Sequence, residues 1–516
     1  MGSIEVPKKR IYLNFFDYAC TGSHMSPGQW RDPDDKGHTK DRLQYWLDLA
    51  KLAERGKISF IFFADSYGGQ DVFGGNNDAQ LRAGNQIASM DPAVLIPAMA
   101  SVTKTVGFGV SASTSYLNPY ILARTMSSLD HLTEGRVAWN IVTSWAKSAA
   151  LILGYDDVVP HDERYNMADE YMDICYKLWE SSWADDAVVW DRERRTAFEP
   201  TKIRKLNHKG KYYKMSGRNQ THPSPQRTPV LFQAGTSKSG RAFASKHAEA
   251  IYIGGLFPSQ SAGSVKQIRA DAAARGRDPK SIKFFVGISP IIGRTMEEAQ
   301  AKYERAKENA DAIGGLAQFA GYTGIDLSKH ALDEPLELKG VPGEDAVHSF
   351  LTNFNHAAGL SPDSPWTPRR LGETMSLGGF HPAPVGTPEM VADVFEEWIN
   401  EADVDGFNIS YTTSPQSFED VVDLLRPELV KRGLMWEDYD VPGGTLRENL
   451  TGIKGQKGIS KDHYGYKFKY PSEFAGDSMA KQAGDTKEES KEKVDVSPKD
   501  GAKSDSKSET KQEAKA

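Results

Sequence analysis

Five consecutive residues, His161-Asp162-Glu163-Arg164-Tyr165, open a stretch with helical apolar spacing. His161 and Tyr165 lie four apart, so on a helix both side chains face the same way. A ligand contact fits this pattern, and so does a plain helix start with Asp162 as N-cap and a half-buried Tyr165. Gly235-Thr236-Ser237 stands directly before another helical stretch, with Arg241 one turn further on. Backbone N–H groups, a hydroxyl and the helix dipole there suit a phosphate monoester, and equally suit simple capping by Thr236 or Ser237. Asp65 follows Phe62-Phe63-Ala64. A carboxylate in that place is costly to bury unpaired, so it reads as a ligand contact or as an ordinary turn residue. Ser111, Ser113, Thr114 and Ser115 follow Val110, and Asn140, Thr143 and Ser144 precede Trp145. These clusters are uncharged except for Asp65 and rich in hydroxyls and glycine. They suit a neutral, hydrogen-bonding ligand better than a metal, which asks for grouped His and carboxylate ligands.

The elements that must carry these residues alternate. Apolar runs at 10–16, 58–64, 106–112, 136–142, 229–234, 250–253, 284–292 and 406–410 read as strands. Between them lie amphipathic stretches. Thr39 is placed to cap a helix with Leu43, Trp46, Leu47, Ala50 and Ala53 on one face, stopped by Gly56. Asn118-Pro119 opens another, and further helices are expected at 162–179, 238–246, 296–310, 387–400 and 417–431. Strand–helix alternation implies a parallel sheet, and eight units imply a closed (β/α)8 TIM barrel of the α/β class. The chemistry of such barrels sits at the C-terminal ends of the strands, where the polar clusters fall. Two stretches break the rhythm, about 183–228 and about 313–386, and read as insertions over the barrel. The barrel domain is expected over 10–440, with a C-terminal extension at 441–470. Residues 1–9 and the Lys-, Glu- and Ser-rich tail 471–516 are expected to be disordered, because they hold too little apolar surface to offset chain entropy.

Composition narrows the class further. A 39% hydrophobic and 26% charged chain of 516 residues can bury a large core, and its net charge of -7 offers no nucleic-acid footprint. No apolar run approaches a membrane span, and the first residues lack an apolar leader. Cys20 and Cys175 form no CxxC or zinc-like cluster and fit a reducing cytoplasm. GxGxxG, Walker A, GxSxG and HExxH motifs are absent, which weighs against nucleotide-dehydrogenase, NTPase, lipase and zincin chemistry. Taken alone, the residues lead to a phosphate-binding barrel enzyme.

The ordered set of motifs resembles the bacterial-luciferase-like FMN-dependent monooxygenases, in the branch that oxidises nitrilotriacetate, dibenzothiophene sulfone, alkanes and dimethyl sulfide. The resemblance runs from about Arg10 to Tyr439. It rests on Leu13-Asn14-Phe15, Ser26-Pro27-Gly28-Gln29-Trp30, Phe62-Phe63-Ala64-Asp65, Asn118-Pro119-Tyr120, Asp130-His131-Leu132-Thr133-Glu134-Gly135-Arg136, Trp139 to Ser144, His161 to Tyr165, and Gln233 to Ser237 with Gly240-Arg241. It implies FMN at the rim, touched by Asp65, Ser111, Ser144, His161, Tyr165 and Ser237, with Ser237 at the phosphate. Ser113 or Thr114 could serve in place of Ser111. It further implies FMNH2 delivered by a separate NAD(P)H:flavin reductase, O2 as co-substrate, a small organic substrate such as an organosulfur compound, and a homo-oligomer, dimer or tetramer. His161 is by type the best general-acid candidate, although the family position points to flavin contact. Phe15, Phe16 and Trp145 are candidate pocket walls. Alkane-oxidising relatives carry a His where this chain has Trp145, which removes a titratable proton and narrows the site. The insertion at 313–386 is placed to act as a lid. A deazaflavin-dependent oxidoreductase on the same barrel and a non-catalytic flavin-binding paralogue are the competing readings.

Overall fold

All eight apolar runs form strands: β1 Tyr12–Tyr18, β2 Phe60–Ala64, β3 Gly107–Ser113, β4 Val137–Val142, β5 Val230–Gln233, β6 Ala250–Ile253, β7 Lys283–Ile288 and β8 Gly406–Ile409. They pair in chain order, every pair parallel, and β8 closes on β1. The expected TIM barrel is therefore the fold. The structure is a computed structural model that describes residues 9–336 and 344–471, with backbone alone at 344–346. Of the expected disordered ends, only Lys9 and Pro471 fall among the described residues; the Lys9 ammonium pairs with Asp403 at 2.7 Å.

Strand alternation sorts the aromatic residues into two layers. Phe60 and Phe62 point into the barrel, where they meet Phe232, Phe285 and Tyr252. Ile61 and Phe63 point outward into the helix layer, Phe63 lying 5.4 Å from the Trp46 ring. The same alternation separates Phe15 from Phe16. Phe16 faces inward and stacks on Phe62, whereas Phe15 faces out and packs on Phe418 at 4.3 Å.

The C-terminal extension closes the bottom of the barrel. Its helix Leu446–Thr451 starts with a capping box between Thr445 and Glu448 and inserts Leu446 and Leu450 into the interior cluster. Between them Arg447 is almost fully buried. Its guanidinium pairs with Glu249 at 2.7 Å and donates to the carbonyls of Thr228 and Pro229 at 2.9 and 3.1 Å.

Several local expectations are revised. Thr39 ends a 3-10 turn and donates to the Lys36 carbonyl; the helix Leu43–Arg55 begins after Arg42 without a side-chain cap. The run 284–292 divides, because Ile291–Ile292 leaves the barrel to pair with Val385–Gly386. The helix His161–Tyr176 continues as a π segment to Ser181, and another π segment, Val421–Leu425, interrupts the last helix. The first insertion folds as two antiparallel hairpins. The second carries the helices Ala312–Thr323, Glu344–Ala357 and Pro368–Met375 around their own apolar cluster, with Phe319, Phe354 and Trp366 in it.

Candidate active site

A cavity of about 620 Å³ opens at the C-terminal ends of the strands. All eight strands or the residues just after them reach its wall: Phe16 and Tyr18 from β1, Asp65 after β2, Ser111 on β3, Asn140 and Ser144 at β4, Gln233 and Gly235 at β5, Tyr252 on β6, Gly287 on β7 and Asn408 on β8. Four of the residues expected at a flavin, Asp65, Ser111, Ser144 and Tyr165, line it directly. His161 and Ser237 stand together on its exposed edge, Ser237 Oγ 3.3 Å from His161 Nε2. Of the expected pocket walls, Phe16 and Trp145 line the cavity, Trp145 at its mouth with 55% exposure. Phe15 does not reach it, because the odd position on β1 turns its ring to the helices.

Local hydrogen bonds explain how the rim is held. Ser144 takes a left-handed backbone, φ +46°, a conformation that costs a non-glycine residue energy and is met at functional sites. The buried Arg164 guanidinium fixes it by donating to the Ser144 carbonyl, and Ser144 Oγ donates to Ser113 Oγ at 2.8 Å. Thr114 bonds the Val142 carbonyl, so Ser113 and Thr114 are both engaged. Ser111 Oγ accepts from Asn140 Nδ2 at 2.9 Å. At the β5 turn, a Cβ on Gly235 would come within 2.4 Å of the Tyr165 hydroxyl, and one on Gly240 within 2.8 Å of the Gly235 backbone. Only glycine lets the helix Lys238–His247 approach the strand end so closely. Ser237 caps that helix by accepting from the Gly240 N–H at 3.1 Å. Asp162 is not the cap of its own helix. Its carboxylate accepts from Ser239 Oγ at 2.7 Å and His161 Nδ1 at 2.9 Å, and so ties the two helix starts together.

Asn140, Gln233, Asn408, Tyr252, His24 and His381 line the cavity, and each holds a buried polar atom with no protein partner. These atoms are Asn140 Oδ1, Gln233 Oε1, Asn408 Oδ1, the Tyr252 hydroxyl and one nitrogen of each histidine. Buried amides in folded proteins are normally satisfied, so this set marks a place for a ligand rich in hydrogen-bonding edges. Aromatic walls from Phe16, Phe62 and Phe243 and a hydroxyl-capped helix start complete it. A flat heteroaromatic ring carrying a phosphate, as in FMN, fits this donor and acceptor set. Among the described residues, no group of three or more His, Cys, Asp and Glu could hold a metal, and no helix is long and apolar enough to cross a membrane.

Sequence reasoning missed His24, His381, Tyr252, Gln86 and Tyr322, all on the cavity wall. Burial, the His381 imidazole and the Lys40 ammonium push His24 well below its ordinary range, and burial pushes His381 down to about 4. Both are neutral at pH 7. The His381 ring lies directly on Gly287, where any Cβ would meet it at 2.3 Å. Behind His24, Lys40 is fully buried and paired with Asp17 at 2.6 Å, and the Tyr411 hydroxyl accepts the His24 N–H at 3.2 Å.

Asp65 is pushed up to about 7 by burial, reinforced by the Asp91 carboxylate and opposed by the Ser66 N–H. Because its folded value lies above the ordinary 3.8, the stability tied to its proton is fully present below about pH 4 and is lost as pH rises through 7. Asp65→Asn removes that dependence. In ligand-free protein the variant is expected to match the wild type at pH 4 and exceed it by about 2 kcal/mol at pH 8, after allowance for partial exposure. Thermal unfolding across this range checks it, and parallel curves would contradict the assignment.

Known proteins share this architecture. The sequence profile of the family described as luciferase-like monooxygenase matches residues 21–406. A dimethyl-sulfide monooxygenase from Hyphomicrobium sulfonivorans is 44% identical over 445 residues, covering 86% of this chain and 91% of that protein. A long-chain alkane monooxygenase from Geobacillus thermodenitrificans is 41% identical over 461 residues, covering 89% and 98%. The crystal structure of DmoA from Hyphomicrobium sulfonivorans superposes with a TM-score of 0.84 at 42% identity over 90% of this chain and 96% of that one. A riboflavin lyase, crystallised with modified FMN and riboflavin, superposes with a TM-score of 0.78 at 35% identity over 89% and 100%. This chain belongs to the luciferase-like monooxygenase family and is an oxidoreductase.

Proposed function

We propose that the cavity binds FMN and that the chain is a flavin-dependent monooxygenase, supplied with FMNH2 by a separate NAD(P)H:flavin reductase and acting on a small organosulfur compound such as dimethyl sulfide. The observation that carries the reading is the set of unbonded amide oxygens of Asn140, Gln233 and Asn408 and the unbonded Tyr252 hydroxyl in residues of the cavity wall, beside a helix start capped by Ser237. The dimethyl-sulfide and alkane monooxygenases and the FMN-bearing riboflavin lyase support it. When bound, reduced FMN supplies the electrons with which one atom of O2 enters the substrate and the other leaves as water.

The chain's own residues orient and seclude. Ser237, His161 and the N–H groups of the helix start hold the phosphate. Asp65, Ser111, Ser144 and Tyr165 fix the ring, with Asn140 and Gln233 completing its hydrogen bonds. Phe16 and Phe62 keep water from the reacting end, and Trp145 stands at the mouth. His161 stands half-exposed at the phosphate edge, so His24 and His381, neutral imidazoles in the wall, are better placed to donate or accept a hydrogen bond at the substrate. The reading includes a homo-oligomer, dimer or tetramer, in a reducing cytoplasm that keeps both buried thiols free.

Oxygen uptake tests the proposal. With NADH and FMN the chain alone is expected to consume neither NADH nor O2. Adding a generic flavin reductase is expected to produce O2 uptake that yields oxidised sulfide. Catalytic NADH oxidation by the chain alone refutes the two-component reading; uptake that yields only H2O2 refutes the monooxygenase reading for that substrate.

A further inference from the structure

The cavity wall carries little charge. Among the described residues, no lysine or arginine lines it. Its one acidic side chain is Asp65, beside which stand neutral amides, hydroxyls, tyrosines and two histidines. Three cations on the flanking segments are engaged by protein partners. Lys40 is fully buried against Asp17, Arg164 donates to the Ser144 carbonyl, and Lys147 lies 3.5 Å from Asp157. Arg241, one turn into the helix that Ser237 caps, donates to the Thr236 carbonyl at 3.1 Å and stands at the phosphate edge. Arg241 shares that edge with the Asp162 carboxylate, whereas the stack of Phe16, Phe62 and Tyr252 inside and Trp145 at the mouth bring no cation to the wall.

We infer that this site takes an uncharged substrate and rejects carboxylates, an inference that rests on the flavin reading. A carboxylate entering an aromatic-walled cavity loses its hydration and finds no counter-ion, so its desolvation is not repaid. The Asp65 carboxylate adds repulsion whenever it is ionised. Burial holds both wall histidines neutral, so they offer hydrogen bonds without charge. Selectivity here comes from the penalty on the wrong ligand as much as from contacts to the right one.

The test uses the full chain loaded with oxidised FMN and follows the absorption spectrum of the bound flavin, a readout independent of turnover. Three thioethers of similar size serve as probes: ethyl methyl sulfide, (methylthio)acetate and the methyl ester of that acid. At pH 8 the two neutral compounds are expected to perturb the flavin, with dissociation constants within about threefold of each other. The acid is expected to bind at least about 100-fold more weakly than its ester. Trp145→Arg, which places a cation at the mouth, is expected to narrow that gap by about tenfold. An acid that binds as tightly as its ester overturns the inference, as does a neutral set that leaves the flavin unperturbed, while FMN binding stands. Failure to load FMN overturns the flavin reading and this inference with it.

Discussion

Ser237→Asp is expected to weaken FMN binding by at least about 100-fold while leaving the folded protein at least as stable as before. Asp and Ser are equally good N-caps, and a carboxylate at a helix start gains from the dipole by about 0.3–1 kcal/mol. If Ser237 only caps the helix, through its bond to the Gly240 N–H, the substitution is silent. If it also holds a phosphate, the variant sets a carboxylate against a dianion. Like charges about 4 Å apart repel by about 4 kcal/mol at the effective dielectric of a protein surface. Fluorescence quenching with FMN and with riboflavin separates these cases, because riboflavin lacks the phosphate and is expected to bind variant and wild type alike. Undiminished FMN binding by the variant would reduce Ser237 to a cap.

Arg447→Met is expected to cost about 3–5 kcal/mol of stability, because it leaves the largely buried Glu249 carboxylate without a counter-ion, held only by the Leu231 N–H. Burial alone would raise Glu249, but the charge and hydrogen bonds of Arg447, helped by His463 and the Leu231 N–H, outweigh it and hold the carboxyl below its ordinary range. In the wild type that contribution is present above the unfolded value and is lost as pH falls through the folded one. In the variant the sign reverses: burial without the Arg447 charge raises Glu249, so acidification protonates it and narrows the gap to wild type. Pairing the change with Glu249→Gln is expected to recover most of the loss, since a neutral amide tolerates the site. Urea unfolding at pH 8 and pH 5 measures both effects. A loss that neither acid nor Glu249→Gln relieves would place the cost in packing of the bottom helix instead.

The barrel was legible because its signals are local. Each strand is a short apolar run bounded by turn residues, and the polar clusters at Asp65, Ser111, Ser144 and Gly235 follow those runs directly. Facing was less legible. Phe15 and Phe16 are chemically identical neighbours, and only the register against β2 and β8 decides which one enters the barrel. Tyr252 was within reach of the same logic, since it shares the inward parity of Ala250 on β6. His24 and His381 were not. They sit in irregular segments with no period, and His381 reaches the cavity only because the second insertion folds back and Gly287 leaves room for its ring. Arg447 likewise looked like one charge in a short polar helix until the closed barrel supplied Glu249 beneath it.

The central claim is that this cavity is a site for reduced flavin. Anaerobic titration of the purified chain with FMN and with dithionite-reduced FMN, followed by fluorescence quenching, tests it most directly. Saturable binding of both is expected, tighter for the reduced form. Binding of neither form would contradict it and return the molecule to a barrel enzyme for a phosphorylated metabolite.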